Sequence, residues 1–88
     1  MDDAARRCWR IDEHASLEWR FWDDEYVFHH ALSNDTHRLA EPAGAVLVYL
    51  IEHGETPQDE LAAACGLDRE DTDVILSALA KIDFVAWR

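Results

Sequence analysis

Three of the five histidines in this sequence stand close together, and imidazole is a side chain that zinc sites and acid–base catalysis often use. His29 and His30 are adjacent, so on a β-strand their rings would point to opposite faces of the sheet. His37 would lie on the next strand and could approach one of the two. Zinc needs three or four converging ligands, and no carboxylate or thiol here has characteristic ligand spacing. We therefore predict ordinary hairpin histidines without a metal, with a zinc site as the minor alternative.

Other signatures of catalysis are missing from the sequence. It holds no G-x-S-x-G motif, no P-loop glycine pattern and no H-E-x-x-H motif. Its three glycines leave no loop that could cradle a phosphate. The acidic pair Asp23-Asp24 stands at a predicted turn, where aspartate favours the turn conformation. The pair Glu70-Asp71 stands in a predicted first helical turn, where carboxylates are stabilised by the helix dipole. We predict that the protein is not an enzyme and needs no cofactor.

Size and charge restrict the class of partner. The 88 residues predict a single domain, 1–88, in which we expect residues 1–8 to be flexible. The net charge of −11 opposes binding to nucleic acid and to anionic membranes, whereas a basic peptide is easier to accept. No apolar run is long enough to cross a bilayer, and the start of the chain lacks the apolar region of a secretory signal.

The two cysteines, Cys8 and Cys65, are far apart and form no C-x-x-C motif. We interpret them as reduced thiols in a cytoplasmic protein. A disulfide between them has no support in the sequence.

The first half of the chain is rich in strand-forming residues. The stretch "LEWRFW" (17–22) alternates so that Leu17 and Trp19 share one face, which predicts a core position for Trp19. Asp23-Asp24 would form a tight hairpin turn to a second strand, "EYVFHHAL" (25–32). A second turn, with Asn34 at positive φ, would lead to a short third strand, "THRL" (36–39), at an edge of the sheet.

Helical spacing dominates the second half of the chain. Pro42 suits the first turn of a helix that ends at Gly54. Thr56-Pro57 would begin a second helix as its N-cap and first position, and Gly66 would stop it. Asp68 would cap a third helix. The apolar residues predicted to face the core are Ala43, Val46, Leu47, Leu50 and Ile51 in the first helix, Leu61 and Ala62 in the second, and Val74, Ile75, Ala78, Leu79 and Ile82 in the third.

This order predicts an α+β fold of the winged helix-turn-helix type, with a three-stranded antiparallel sheet followed by three helices (β-β-β-α-α-α). The stretch "FVAW" (84–87) would close the chain as a short extended piece. Such a fold raises an alternative function, an acidic winged-helix regulator that binds DNA or a protein. The helix that would enter the major groove begins with one base among three acids, in 69–73, which DNA phosphates would repel.

The predicted edge strand and the third helix could form a peptide groove. An open edge presents unpaired backbone groups, and an extended peptide can add to it as a further strand. On a helical wheel Leu76 and Ala80 lie off the centre of the predicted buried stripe, beside Asp73 and Ser77. If Leu76 is exposed, it makes an apolar wall rimmed by Asp73. The alternative is that Leu76 widens the core.

The motifs of the first half resemble those of a known family. The sequence "LEWRFWDDEYVFHHALSNDTHRL", followed by "EPAGAVLVYL" and "LSALAKIDFV", is similar to the PqqD-like family of small peptide chaperones, also called RiPP recognition elements. The PqqD-type protein of the HPr-rel-A system is the most similar type. The resemblance extends over nearly the whole chain from Trp9. Two positions depart from the family pattern, since Asn34 replaces a turn glycine and Glu41 replaces an aspartate before Pro42.

The resemblance implies a function as well as a fold. Members of the family bind the leader segment of a ribosomally made precursor peptide as a strand beside the third strand, and present it to a modifying enzyme. The resemblance implies peptide contacts from Thr36, His37, Arg38 and Leu39 on the strand and from Asp73, Leu76, Ser77 and Ala80 on the third helix. For the HPr-rel-A type, a protein that resembles HPr kinase is the implied partner. The oligomeric state stays open.

Overall fold

The computed structural model describes residues 7–13, 15–31 and 34–87 of the chain. The fold is α+β and contains a three-stranded antiparallel sheet and three helices, as the sequence predicts. The elements are β1 (Cys8–Ile11), β2 (Leu17–Trp22), β3 (Glu25–His30), β4 (Asp35–Leu39), α1 (Glu41–His53), β5 (Thr56–Pro57), α2 (Gln58–Cys65), α3 (Arg69–Lys81) and β6 (Val85–Trp87). None of the helices in this part of the chain combines the length and apolarity that a bilayer crossing requires.

Strands β2, β3 and β4 form the predicted sheet, with β3 in the centre. Asp23 and Asp24 make the two-residue turn between β2 and β3, both at positive φ (53° and 62°). This geometry matches the right-handed twist of the paired strands, and aspartate tolerates it better than most side chains. Asn34 also has positive φ (60°), as predicted for the second turn. The third predicted strand is confirmed as β4, and it lies at an edge.

A second sheet, which the sequence did not predict, joins distant parts of the chain. Its order is β5-β1-β6, and both pairings are antiparallel. The stretch 84–87, expected as a lone extended piece, therefore supplies a paired strand, and the predicted order β-β-β-α-α-α omits three strands. Trp9 of the central strand is only 2% exposed, and its indole N–H donates to the Gln58 side-chain oxygen at 2.8 Å.

Two residues of the predicted flexible segment 1–8 belong to this second sheet or contact it. Cys8 begins β1, and the Arg7 carbonyl accepts a hydrogen bond from the backbone N–H of Gln58 at 2.8 Å. The Arg7 guanidinium lies over the ring of Trp87, 4.1 Å from its centroid. Both residues therefore make defined contacts with the second sheet, and the flexibility of the segment stays a prediction. Residues 1–6 lie outside the described part of the chain.

Helix α1 packs against the hairpin sheet at β3 and β4. Gly44 is buried against Tyr26, and a side chain at this position would overlap the tyrosine ring. Gly44 therefore sets how closely the helix approaches the sheet. Three of the five predicted core residues of this helix are buried, namely Val46, Leu47 and Leu50. Ile51, also predicted to face the core, is 40% exposed because it lies at the edge of the apolar stripe.

The start of α2 lies one residue later than predicted. Thr56 is not the N-cap and Pro57 is not the first helical residue, because both belong to β5 and Pro57 is the N-cap. The Thr56 hydroxyl instead donates to the carbonyl of Gly54 at 2.9 Å. The end of the helix is as predicted, with Gly66 in the left-handed conformation (φ 67°).

The buried face of α3 is rotated from the predicted one. Asp68 caps the helix as predicted and accepts a hydrogen bond from the backbone N–H of Asp71 at 2.8 Å. However, Val74 is 63% exposed and Ala78 is exposed, although both were assigned to the core. The buried residues of the helix are Thr72, Leu76 and Leu79. The Thr72 hydroxyl donates to the Asp68 carbonyl at 2.6 Å, which lets a polar residue occupy the buried face.

Trp19 is not a core residue, contrary to the prediction. The face that it shares with Leu17 is the inner one, since the opposing residue on β3 is the fully buried Phe28. Helix α1 covers β3 and β4, whereas the main neighbour of β2 among the described elements is β3. Trp19 therefore remains 40% exposed beyond the helical layer.

Candidate functional site

The open edge of β4 is the part of the candidate site that the backbone defines. The N–H of Ala31 donates to the Ser16 carbonyl at 2.9 Å, so Ala31 directs its backbone groups toward β2. Successive residues of a strand direct these groups to opposite sides, and Phe28 is therefore turned toward β4, where it pairs with His37. By the same alternation the backbone groups of Thr36 and Arg38 point away from the sheet. Each of these two residues offers one N–H donor and one C=O acceptor to an added strand.

The side chains of β4 divide between the two faces of the sheet. Thr36 and Arg38 are exposed on the outer face, where the Thr36 hydroxyl lies 3.1 Å from Nδ1 of His29. His37 and Leu39 are half-buried on the inner face. A peptide strand added here would thus meet polar groups on one side and partly apolar groups on the other.

Phe84, in the segment between α3 and β6, lies against β4. The ring of His37 meets the ring of Phe84 edge to face, with centroids 5.0 Å apart. Phe84 lies three residues beyond the last residue of α3, and its backbone N–H donates to the carbonyl of Leu79 at 3.1 Å. Strand and helix are therefore connected through one buried aromatic ring. This contact supplies a floor between the two predicted halves of the site.

Leu76 is the one predicted site residue whose environment contradicts its role. It is 0% exposed and belongs to the core, so the expectation of an apolar residue on a solvent-facing flank is wrong for this position. Asp73 and Ser77 are exposed and Ala80 is half-buried. At about 100° per residue these three lie within one 60° sector of the helix. The surface that α3 can offer on this flank is therefore small and polar.

Acidic side chains dominate the exposed surface at the start of α3. Glu70, Asp71 and Asp73 are all exposed, and Arg69 is the one base of the first turn. Carboxylates near a helix N-terminus are stabilised by its dipole, which gives them a structural role as well. Their combined field still repels phosphates and attracts basic groups.

The described histidines do not assemble a metal site. His29 lies on the outer face of the sheet and His30 on the inner face, where it is 7% exposed and packs beside Phe84 at 5.6 Å between ring centroids. In the described ranges, no three side chains among His, Cys, Asp and Glu are arranged to hold a metal ion. His14 lies outside those ranges.

The thiol of Cys65 lacks the lowered pKa that nucleophilic cysteines have. Cys8 and Cys65 are both free and half-buried. Burial raises the pKa of the Cys65 thiol above its usual value. A raised pKa keeps the thiol protonated at neutral pH, whereas nucleophilic cysteines have lowered pKa values.

Strand β2 carries an exposed aromatic surface, which includes Trp19 although the sequence predicts a core position for this residue. Trp19, Phe21 and Trp22 are 40%, 54% and 70% exposed. Phe21 stands edge to face with Tyr26, with ring centroids 4.9 Å apart, so Trp19 and Phe21 extend the inner face of the sheet. Trp22 lies on the outer face by strand alternation. Alternation alone assigned these residues to faces but could not show how far the helices cover each face.

Residues of all three strands, most of them with side chains on the outer face of the sheet, surround an open depression of about 530 Å³. Its lining residues are Glu18, Trp19, Arg20, Trp22, Val27, His29 and Thr36. Through Thr36 this depression reaches the edge strand of the candidate site.

No protein-family model, no curated protein and no solved structure matches this chain.

Proposed function

We propose that this protein is a non-enzymatic adaptor that binds the leader segment of a ribosomally made precursor peptide and presents it to a modifying enzyme. The observation that carries the proposal is the open edge of β4, where Thr36 and Arg38 direct their backbone groups outward. A peptide strand placed beside β4 gains main-chain hydrogen bonds there, and neighbouring side chains select its sequence. The resemblance of the strand motifs to the PqqD-like family supports the same mode of binding.

The side chains around the edge favour a peptide that is partly apolar and carries basic residues. His37, Leu39 and Ala80 supply half-buried surface, and Asp73 supplies a negative charge on the flank of α3. Since Leu76 is buried, we assign the apolar contact mainly to the inner face of β4 rather than to the helix. Asp73 and Ser77 then act as polar contacts at the rim.

The winged helix-turn-helix arrangement is part of the proposal. Helices α2 and α3 pack together and are joined at Gly66, and the short strands β5 and β6 flank the pair. In our proposal this unit serves as the wall of a peptide groove. The alternative, a regulator that binds DNA, is disfavoured by the exposed carboxylates at the start of α3.

The proposed partners are the leader peptide and either a modifying enzyme or a protein that resembles HPr kinase. We place this function in the cytoplasm, in keeping with two free cysteines.

The decisive experiment follows backbone amides of the labelled protein by NMR. Each short peptide encoded beside the gene is synthesised and titrated into the protein, with a scrambled peptide of the same composition as control. We expect the amide signals of Thr36 and Arg38 to shift first. Shifts confined to α1 or α2, or equal shifts with the scrambled peptide, would contradict strand addition at β4.

A pair of variants isolates the backbone contribution. Thr36→Pro removes one outward N–H without removing a ladder hydrogen bond, and edge strands tolerate proline at such a position. Thr36→Ala removes the same hydroxyl but keeps the N–H, so it is the matched control. We expect Thr36→Pro to weaken peptide binding by roughly tenfold, the equivalent of one hydrogen bond of about 1 kcal/mol plus local strain. Equal affinities of the two variants would argue against β-addition, and salt-sensitive binding to duplex DNA would favour the regulator.

A further inference from the structure

We propose that β2 pairs with β2 of a second copy of this chain, so that two hairpin sheets join into one six-stranded sheet. The proposal is independent of the proposed peptide function, because it concerns the opposite edge of the sheet. Strand β2 is an edge strand whose one described partner is β3. It holds no proline or lysine, which commonly protect an edge from pairing, and its two charged residues, Glu18 and Arg20, have opposite signs.

The backbone of β2 is ready to accept another strand. Ser16 directs its carbonyl toward β3, where it accepts the hydrogen bond from Ala31 at 2.9 Å. Alternation along the strand then turns the backbone groups of Leu17, Trp19 and Phe21 toward the open edge. These three residues can exchange hydrogen bonds with the same three residues of a second, antiparallel copy.

Charge selects one register of self-pairing. When Trp19 faces Trp19 of the other copy, Glu18 faces Arg20 on both sides of the two-fold axis. If the register shifts so that the two-fold axis passes through Glu18, Glu18 faces Glu18 of the other copy. If the axis passes through Arg20, Arg20 faces Arg20. Like charges directly opposite are unfavourable, whereas opposite charges stabilise a cross-strand pair. An isologous interface requires this kind of self-complementarity.

The geometry of the favoured register strengthens the ion pairs. Glu18 and Arg20 direct their backbone groups toward β3, so in the dimer they form the non-hydrogen-bonded pairs. Side chains come closest in such pairs, with Cα atoms about 4.5 Å apart. Both side chains are exposed on the outer face, so pairing needs no rearrangement of the core.

The aromatic surface of β2 supplies the apolar part of the interface. Trp19, Phe21 and Trp22 expose 40%, 54% and 70% of their surfaces. With side-chain areas of about 150–250 Å², they present roughly 300–400 Å² per copy. Two copies thus provide an interface in the smaller class, below about 1,200 Å² in total, which predicts a weak dimer.

The other edge of the sheet does not show this complementarity. In a two-fold pairing of β4 centred on His37, Thr36 would face Arg38 and Asp35 would face Leu39, so no opposite charges meet. The pairing of β2 therefore leaves β4 open at both ends of the six-stranded sheet. The net charge of −11 per chain opposes association, but the strand itself carries one acid and one base.

The test is sedimentation equilibrium over concentrations from roughly 1 μM to 1 mM, with charge-reversal variants. We expect the wild-type chain to dimerise in this range. Glu18→Arg and Arg20→Glu should each raise the dimer Kd by roughly tenfold or more, because two attractive pairs become repulsive. The double variant, Glu18→Arg with Arg20→Glu, should restore wild-type dimerisation, and the two single variants mixed together should form a heterodimer.

Each remaining outcome overturns the proposal. A wild-type chain that stays monomeric to 1 mM would mean that β2 does not self-associate. A dimer that the single charge reversals leave unchanged, or that the double variant does not restore, would mean another interface or register. Circular dichroism of all variants checks that these exposed substitutions leave the fold intact, and Trp19→Lys in the wild-type background should yield a folded monomer.

Discussion

The rotation of α3 about its axis determines which of its residues face the core and which can take part in binding. Truncation of individual side chains to alanine shows which residues are buried. Leu76 is 0% exposed, so Leu76→Ala removes buried methyl groups and leaves a cavity. Such truncations cost about 2–5 kcal/mol. For a domain of this size, 1 kcal/mol corresponds to about 4–8 °C in Tm, so we expect Tm to fall by at least about 10 °C.

Val74→Ala is the matched control on the same helix. Val74 is 63% exposed, and surface substitutions usually change the free energy of unfolding by less than about 0.5 kcal/mol. Alanine also has a higher helix propensity than valine, so the variant should be as stable as the wild type or slightly more stable. The sequence pattern, which assigns Val74 to the core and leaves Leu76 either exposed or buried, predicts instead a large cost at Val74.

The assay is urea unfolding of both variants, followed by tryptophan fluorescence and by circular dichroism. Coincident transitions would support a two-state analysis. A loss at Val74→Ala that equals or exceeds the loss at Leu76→Ala would refute the rotated buried face. For the same reason Leu76→Asp cannot serve as a binding variant, because a buried carboxylate should unfold the domain.

Three further predictions concern other parts of the fold. Gly44→Ala should destabilise the protein by about 1–3 kcal/mol in urea unfolding, because the added methyl group would overlap Tyr26. A gain in stability, which helix propensity alone predicts, would contradict this packing. Asp68→Ala should cost about 0.5–2 kcal/mol by removing the cap of α3, whereas Asp68→Asn should retain most of it. Burial raises the pKa of Cys65, so in a Cys8→Ser background its alkylation should be slower in the folded than in the unfolded protein. The free energy of unfolding should fall as pH rises above about 8.5, because the thiol of the unfolded chain ionises first. Cys65→Ser should abolish that fall.

The local signals in the sequence predicted the hairpin well. The alternation in 17–22 and the Asp23-Asp24 pair determine strand ends and turn type through short-range sterics, which neighbouring residues decide. The glycine and aspartate signals at Gly66 and Asp68 also predicted helix ends, since these depend on φ and on one capping hydrogen bond. Features that depend on adjacent residues were therefore accessible without a structure.

Features that depend on distant residues were not accessible. The burial of Trp9 results from strands at 56–57 and 85–87, and nothing near Trp9 in sequence indicates them. On α3 the polar residue Thr72 is buried and the apolar residue Val74 is exposed. A prediction that places apolar residues inside therefore assigns the wrong face of this helix to the core. For the candidate site, the edge position of β4 was predictable, whereas the contact of His37 with Phe84 required the tertiary fold.

The position of β1 in the centre of its sheet has a consequence for the order of folding. Each of its two neighbours comes from much later in the chain, and Trp9 pairs with Trp87. During synthesis the hairpin of β2 and β3 can form at once, whereas β1 must wait until residues 56–57 and 85–87 have left the ribosome. Closing so long a loop is slow, and contacts between distant residues generally form late. Until then Trp9 stays accessible to solvent and to chaperones, so the first core residue within the described part of the chain is among the last to be buried.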